Sequence, residues 1–382
     1  MTASSAGVAI VGTGYVADLY LRSFRAHPEI ALRGAFDIDA GRLAAFCGHW
    51  GVTPADSLAA LLGRLRPGDV VLNLTNPHAH YAVSRAVLEA GHHVYSEKPL
   101  AMDMDEARAL AELARARGLG LTSAPCSGLS ETAQTLWAAI RAGVGGTPRL
   151  VYAEMDDDFI PQAPYRKWLS ESGAPWPHAD EFRVGCTLEH AGYYLAWLLP
   201  IFGPVRTVVA ASANLAPKDI PVAEQAADLS VGTLFFESGM VARLTCSILA
   251  PHDHALTVVC DDGVITLDEC WDNAAPVRFR RRFTLRRRLM YAPLARRLRL
   301  AARETHRKLG RRGAAAMNFA LGPVEMLAAL AEGRRSRLPL DLALHMTEVS
   351  LALQNAGETG GAQRMTTRFD PVAPMDWAAA LR

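Results

Sequence analysis

The sequence predicts a two-domain α/β protein: a doubly wound parallel sheet followed by a sheet-rich domain. Three observations carry this. Short apolar runs alternate with amphipathic helical stretches through the first third of the chain. The first of those runs turns into its helix through "GTGYVA". From about residue 149 the pattern changes to strands joined by hairpin turns such as "ESG" and "DDG". With 382 residues, half of them apolar, the chain can bury two cores.

The elements follow in order. "VAIVG" (8–12) reads as a buried parallel strand ending in glycine. In the G-x-G-x-x-A pattern after it, Gly12 permits a tight turn and Gly14 lets the backbone approach a pyrophosphate. Tyr15 and Val16 open a helix whose N-terminus attracts phosphate charge, and Ala17 allows close helix–strand packing. The second strand, "ALRGAFD", ends in Asp37, about 20 residues beyond the motif, where a carboxylate bonds ribose hydroxyls and repels a 2′-phosphate. NAD is therefore expected over NADP, with Arg42 the residue that speaks for the phosphorylated cofactor. "DVVLNLT" (69–75), a helix over 78–91, "HHVYSE", the helix "MDEARALAELARARG" and the strand "LGLTSA" continue the alternation. Ligands of such sheets bind outside the carboxyl ends of the strands. Thr75, Asn76 and His80 stand at one such end, Glu97 and Lys98 at another, and all five are expected at the cofactor.

The second half reads as strands over 149–158, 205–215, 229–238, 240–249, 255–260 and 264–269. Between the first two lies a long aromatic, Pro-rich loop that carries Arg166 and Trp168, both expected to bind substrate. The helix "TLEHAGYYLAWLLPIF" follows it, with His190 and Tyr194 four residues apart on one face. His252, His254, Cys260 and Cys270 are of zinc-ligand type, but their spacing is not that of a compact finger and no metal is expected. Residues 278–312 form a strongly basic insertion with Leu285, Leu289, Leu298 and Leu309 at roughly helical spacing. It is read either as a surface for anionic lipid or a sugar diphosphate, or as a solvated insertion held by its leucines. The acidic run "EMDDDF" (154–159) is its expected internal counterweight. Helices over "GPVEMLAALAEG" and "PLDLALHMTEVSLALQNAG" and an extended tail complete the chain.

Three blocks, "VGTGYVA", "NLTNPHAHYAVSRAVLEAGHHVYSEKPLA" and "GCTLEHAGYYLAWLLPIFGPV", resemble the Gfo/Idh/MocA oxidoreductases over nearly the whole chain. The resemblance implies a Rossmann domain over 1–125 and an α/β domain with a large, open, mostly antiparallel sheet over 126–382. It also implies a nicotinamide cofactor and a sugar, polyol or sugar-nucleotide substrate. Lys98 matches the family lysine that hydrogen-bonds the reacting oxygen. The family usually carries Asp and His where this chain has His190 and Tyr194, and some members use tyrosine at the second place. Oxidising an alcohol requires removal of its proton by a group poised near the operating pH. Histidine qualifies unaided; tyrosine qualifies if Lys98 and the nicotinamide favour the phenolate. His190 and Tyr194 are accordingly expected to divide proton transfer and substrate binding.

The formal net charge of +1 gives no bias toward nucleic acid. No apolar run approaches the roughly 20 residues that span a bilayer. The short polar N-terminus and six scattered cysteines without CxxC lead to the expectation of a cytoplasmic protein. The reading is an NAD-dependent oxidoreductase of a sugar, polyol or nucleotide sugar. A redox-neutral glycosidase or epimerase on the same fold is the alternative, and a non-catalytic dinucleotide- or sugar-binding regulator the second. A homodimer or homotetramer through the second domain is expected, since an open sheet has a face to cover.

Overall fold

The computed structural model describes residues 7–311 and 313–382. They divide into two compact units. One comprises the residues up to Pro125 with Gln162–Val184 and Asn318–Thr347; the other comprises Cys126–Pro161, Gly185–Met317 and Glu348–Arg382. The main break falls at residue 125, and two later segments return to the first unit; nothing in a linear pattern marks which sheet a segment packs on.

In the first unit, β1 (Gly7–Val11), β2 (Ala31–Phe36), β3 (Val70–Asn73), β4 (His93–Ser96) and β5 (Leu121–Ser123) form a wholly parallel sheet in the order β2-β1-β3-β4-β5. Between them run α1 (Tyr15–Phe24), α2 (Ala40–Trp50), α3 (Leu58–Leu62), α4 (His80–Glu89) and α5 (Met104–Arg117). Val8, Ile10, Val70, Leu72 and Val94 are fully buried, as strands covered on both faces require. Local signals set the helix ends. Asp103 caps α5 by accepting from the Glu106 N–H at 2.8 Å, and Gly118 closes it in the left-handed region at φ 63°. Strand order reverses at β1, which opens a crevice at the carboxyl ends of β1 and β3.

Along the chain α6 (Glu131–Arg141) and β6 (Pro148–Asp156) belong to the second unit, α7 (His178–Val184) to the first, and α8 (Cys186–Phe202) to the second. Then come β7 (Val205–Ala213), β8 (Leu229–Phe236), β9 (Val241–Ser247), β10 (Leu256–Cys260), β11 (Gly263–Leu267), β12 (Arg278–Leu285), β13 (Arg288–Tyr291) and β14 (Arg296–Arg297). The helices α9 (Leu321–Glu332) and α10 (Leu340–Gln354) and the strand β15 (Ala362–Arg364) follow. Among the described residues β6 to β15 form one 10-stranded sheet, ordered β13-β12-β11-β10-β6-β9-β8-β7-β15 with β14 on β12. Only β6 and β9 pair in parallel; the other pairs are antiparallel. Burial alternates along β10 and β11, one face covered and one open. The helix α8 packs on the covered side, against β6, β8 and β9.

Among the described residues the basic insertion is not a helix. "RFRRRFTL" extends the sheet edge as β12 and turns through Arg286, at φ 55°, into β13, with Thr284 opposite Leu289. The four-residue spacing of Leu285 and Leu289 therefore straddles a hairpin turn, and both stay exposed (57% and 64%), whereas Leu298 is buried. Two of its arginines meet partners other than the acidic run. Arg278 pairs with Asp268 at 2.7 Å, and the Arg282 guanidinium donates to the backbone carbonyls of Cys260 and Asp261.

Candidate active site

In the first unit the β1–α1 turn is shaped by what lies against it. Gly12 has φ +92°, and a Cβ there would lie 2.6 Å from the Leu74 backbone. Gly14 is the N-cap of α1, with no side-chain cap, and a Cβ on it would meet nothing within 4 Å. The amides of the first turn, where Tyr15 and Val16 are partly exposed, thus face open space that fits a pyrophosphate. Asp37 lies at the end of β2. Its Oδ2 accepts from the Thr13 N–H (2.7 Å), the Thr13 hydroxyl (2.9 Å) and Arg42 Nε (3.1 Å). Its Oδ1 accepts from the Asp39 N–H (2.8 Å) and Arg42 Nη2 (2.8 Å). Burial pushes its pKa up, but the Arg42, Asp39 and Thr13 hydrogen bonds outweigh this and bring it down to about 2. Arg42 is therefore engaged by Asp37. Ile38, 93% exposed beside it, offers an apolar surface of the kind an adenine face covers.

At the end of β3 the Thr75 hydroxyl donates to Asn73 Oδ1 at 2.6 Å, and exposed Asn76 caps the turn into α4 through the Ala79 N–H. His80 departs from expectation. It is fully buried, its Nδ1 lies 2.7 Å from the Pro99 carbonyl oxygen, and its Nε2 lies 3.1 Å from that of Thr75. It braces the loops after β3 and β4 rather than facing a cofactor. Glu97, also buried, accepts from the Tyr20 hydroxyl at 2.6 Å and the Lys98 N–H at 3.1 Å. Lys98, half-buried, follows it at the carboxyl end of β4. Arg166 is exposed, and Trp168 packs edge-on against Trp176 with ring centres 5.2 Å apart. Their loop is tied to α1 through a residue the sequence did not single out. Buried Asp18 accepts from the Ser172 hydroxyl at 2.8 Å, from the Ser172 N–H at 3.2 Å and from Trp50 Nε1.

In the second unit α8 is buried along its length except at His190, Pro200 and Ile201. His190 Nδ1 lies 2.9 Å from the Cys186 carbonyl oxygen one turn back, and Nε2 lies 2.7 Å from Asp157 Oδ2. Tyr194 shares that helix face but not that exposure. It is fully buried, its hydroxyl donates to the His254 backbone carbonyl, and burial pushes its pKa well above the ordinary phenol value, with Cys270 and Glu269 adding to the rise. Burial thus works against the phenolate that the sequence made conditional on Lys98 and the nicotinamide, whereas His190 keeps a partly exposed ring.

Asp157 is the residue the sequence reading missed. Besides His190 it meets His254 Nε2 at 3.0 Å and His252 Nδ1 at 3.6 Å, both through Oδ1. Glu269 takes the other nitrogens of the same two rings, His254 Nδ1 at 2.9 Å and His252 Nε2 at 3.2 Å. Desolvation works against protonation of His254, but Asp157, Cys270 and Glu269 outweigh it and push its pKa up to about 12; Asp157 is held far below the usual carboxylate range. The signal was present as "MDDD", "PHDH" and "LDEC", but only the register of β6, β10 and β11 brings these ends together, as in the Asp156–Asp253 bridge. Cys260, at the other end of β10, stays apart from the group.

A family model described as "Oxidoreductase family, NAD-binding Rossmann fold" matches residues 6–124, and one described as "GFO/IDH/MocA C-terminal domain" matches residues 133–266. A UDP-N-acetylglucosamine 3-dehydrogenase of Acidithiobacillus ferrooxidans is 29% identical over 154 residues, 40% of this chain and 46% of that protein. A D-glucoside 3-dehydrogenase of Escherichia coli is 33% identical over 120 residues, 31% of this chain and 34% of that protein. The chain thus matches less than half the length of each of these curated relatives. In fold it is similar to the WlbA dehydrogenase from Bordetella pertussis, solved in complex with NADH and UDP-GlcNAcA. That likeness has a TM-score of 0.72 at 19% identity and covers 96% of this chain and 100% of that one.

Proposed function

Since the chain belongs to the Gfo/Idh/MocA family of oxidoreductases with an NAD-binding Rossmann fold, we propose that it is an NAD-dependent dehydrogenase of a sugar or nucleotide-sugar hydroxyl. The relatives' substrates, UDP-N-acetylglucosamine and a D-glucoside, support that class. The observation that carries the reading is the His190–Asp157 pair at 2.7 Å, set where α8 first opens to solvent.

NAD, when bound, supplies the hydride acceptor. The first-turn amides of α1 from Gly14 to Val16 hold its phosphates, Asp37 its ribose hydroxyls, and Thr75 and Asn76 border it. Lys98 donates a hydrogen bond to the substrate oxygen as negative charge gathers on it. For His190 to take the hydroxyl proton at Nε2, the proton that Nε2 shares with Asp157 first leaves to solvent; Asp157 then stabilises the imidazolium that forms. Arg166 and Trp168 line the sugar. The second unit's open sheet face, where Tyr152, Val209 and Val231 are about 40% exposed, is the proposed homodimer or homotetramer surface.

The test is incubation with NAD and a panel of UDP-sugars, glucosides and inositols. Stoichiometric NADH formation with a keto product supports the reading. Substrate turnover without net NADH would replace it with the redox-neutral alternative, and NAD binding without turnover of any panel member with the regulator.

A further inference from the structure

Hydride transfer makes no use of His252, His254 and Glu269, yet these three are arranged with unusual economy around Asp157. Three atoms converge: Asp157 Oδ1, His254 Nε2 and His252 Nδ1. The oxygen lies 3.0 Å from the first nitrogen and 3.6 Å from the second, and all three ligand atoms lie within 4.8 Å of one another. Ligands about 2.0–2.1 Å from a tetrahedral ion are about 3.3 Å apart, so the two measured separations bracket the requirement. The atoms behind them are equally ordered. Each imidazole turns its remaining nitrogen to a different oxygen of Glu269, at 2.9 and 3.2 Å. The free oxygen of Asp157, Oδ2, is held by His190 Nε2. Carboxylates that grip the outer nitrogen of a ligating histidine are the usual support of a metal site, because they fix ring orientation and tautomer.

We propose that Asp157, His252 and His254 bind a divalent cation of borderline softness, with zinc the fitting member, and that Glu269 is the positioning residue behind both histidines. Two imidazoles and one carboxylate select against magnesium and calcium, which prefer all-oxygen shells. A fourth position remains for water or a substrate oxygen. Glu269 joins Cys270 and His254 in a second possible grouping, but Cys270 is fully buried with its sulfur 3.5 Å from Met155 Sδ, an apolar setting that disfavours a thiolate ligand. On entry the cation displaces the proton shared by His254 and Asp157, which leaves to solvent. The ligands come from the ends of β6 and β10, and Glu269 from the end of β11, so the ion and its support would pin three neighbouring strands. This revises the sequence expectation of no metal.

The test uses the full chain, stripped with chelator and dialysed against Zn²⁺ or Co²⁺ without dinucleotide or substrate, so its failure leaves the dehydrogenase reading standing. One Zn²⁺ per chain at micromolar affinity or tighter, with the visible bands of four-coordinate cobalt(II), is expected. His252→Ala, at an exposed position that spares the core, should weaken binding by about tenfold or more, and Glu269→Gln by about tenfold to a hundredfold. Cys270→Ser should leave it unchanged. Substoichiometric uptake, or His252→Ala binding zinc like wild type, would overturn the site; loss in Cys270→Ser alone would overturn this ligand set.

Discussion

Asp157 Oδ2 lies 2.7 Å from Nε2 of His190, and the two residues come from different elements, the end of β6 and the second turn of α8. The chain thereby builds a histidine–carboxylate pair from positions 33 residues apart that neither local sequence advertises. Removing one partner should be visible in the rate. His190→Ala is expected to lower kcat about a hundredfold or more. Asp157→Asn should lower kcat less, with KM little changed, since it acts through the imidazole. Steady-state kinetics on the substrate found in the panel, with circular dichroism to confirm folding, checks both.

Tyr194→Phe should behave in the opposite manner. The hydroxyl donates to the buried His254 carbonyl, so its loss is expected to destabilise the fold by about 1–2 kcal/mol. The kcat should change by less than about threefold. A denaturant melt beside the rate measurement separates this from a catalytic role, which would lower kcat at unchanged stability.

Cofactor choice should turn on Asp37 and Arg42 together. NAD is expected to bind more tightly than NADP. Asp37→Ser frees the Arg42 guanidinium for a 2′-phosphate and should raise NADP affinity about tenfold, worth about 1.4 kcal/mol. The double change Asp37→Ser with Arg42→Ala should lose that gain. Titration of both cofactors against tryptophan fluorescence reads the result.

The same carboxylate sets an acid limit. The folded pKa of Asp37 is lowered from 3.8 to about 2. A depressed acid contributes stability that is fully present above its unfolded pKa and is lost as pH falls through its folded value. Between about pH 4 and pH 2 the wild type should therefore lose on the order of 2 kcal/mol that Asp37→Asn has already lost at neutral pH. Urea melts across that window should converge for the two proteins.

Much of this was legible from residues alone. The apolar runs of the first unit and its helices α1, α4 and α5 fell where periodicity placed them, while α2 and α3 went unread. The hairpins at "ESG" and "DDG" close β8–β9 and β10–β11, because turn glycines and alternating burial are local properties. What escaped was non-local. His190 and Tyr194 look equivalent by spacing, but packing on the sheet buries one completely and leaves the other partly exposed. His80 stands where a cofactor ligand would, and only the fold shows it braced between two carbonyls. Asp18 and Ser172 meet across 154 residues, a distance no motif spans. The leucines of the basic segment kept a helical interval, yet a turn through Arg286 falls between the first two.

The proposed function stands on hydride transfer assisted by Lys98 at the end of β4. Its most direct test is a single-turnover measurement of NADH absorbance, with enzyme in excess over the sugar substrate, for wild type and Lys98→Met. Wild type should form one NADH per substrate, and Lys98→Met should do so at a rate lower by about a hundredfold or more with NAD affinity unchanged. A Lys98→Met enzyme that forms NADH at the wild-type rate would contradict it.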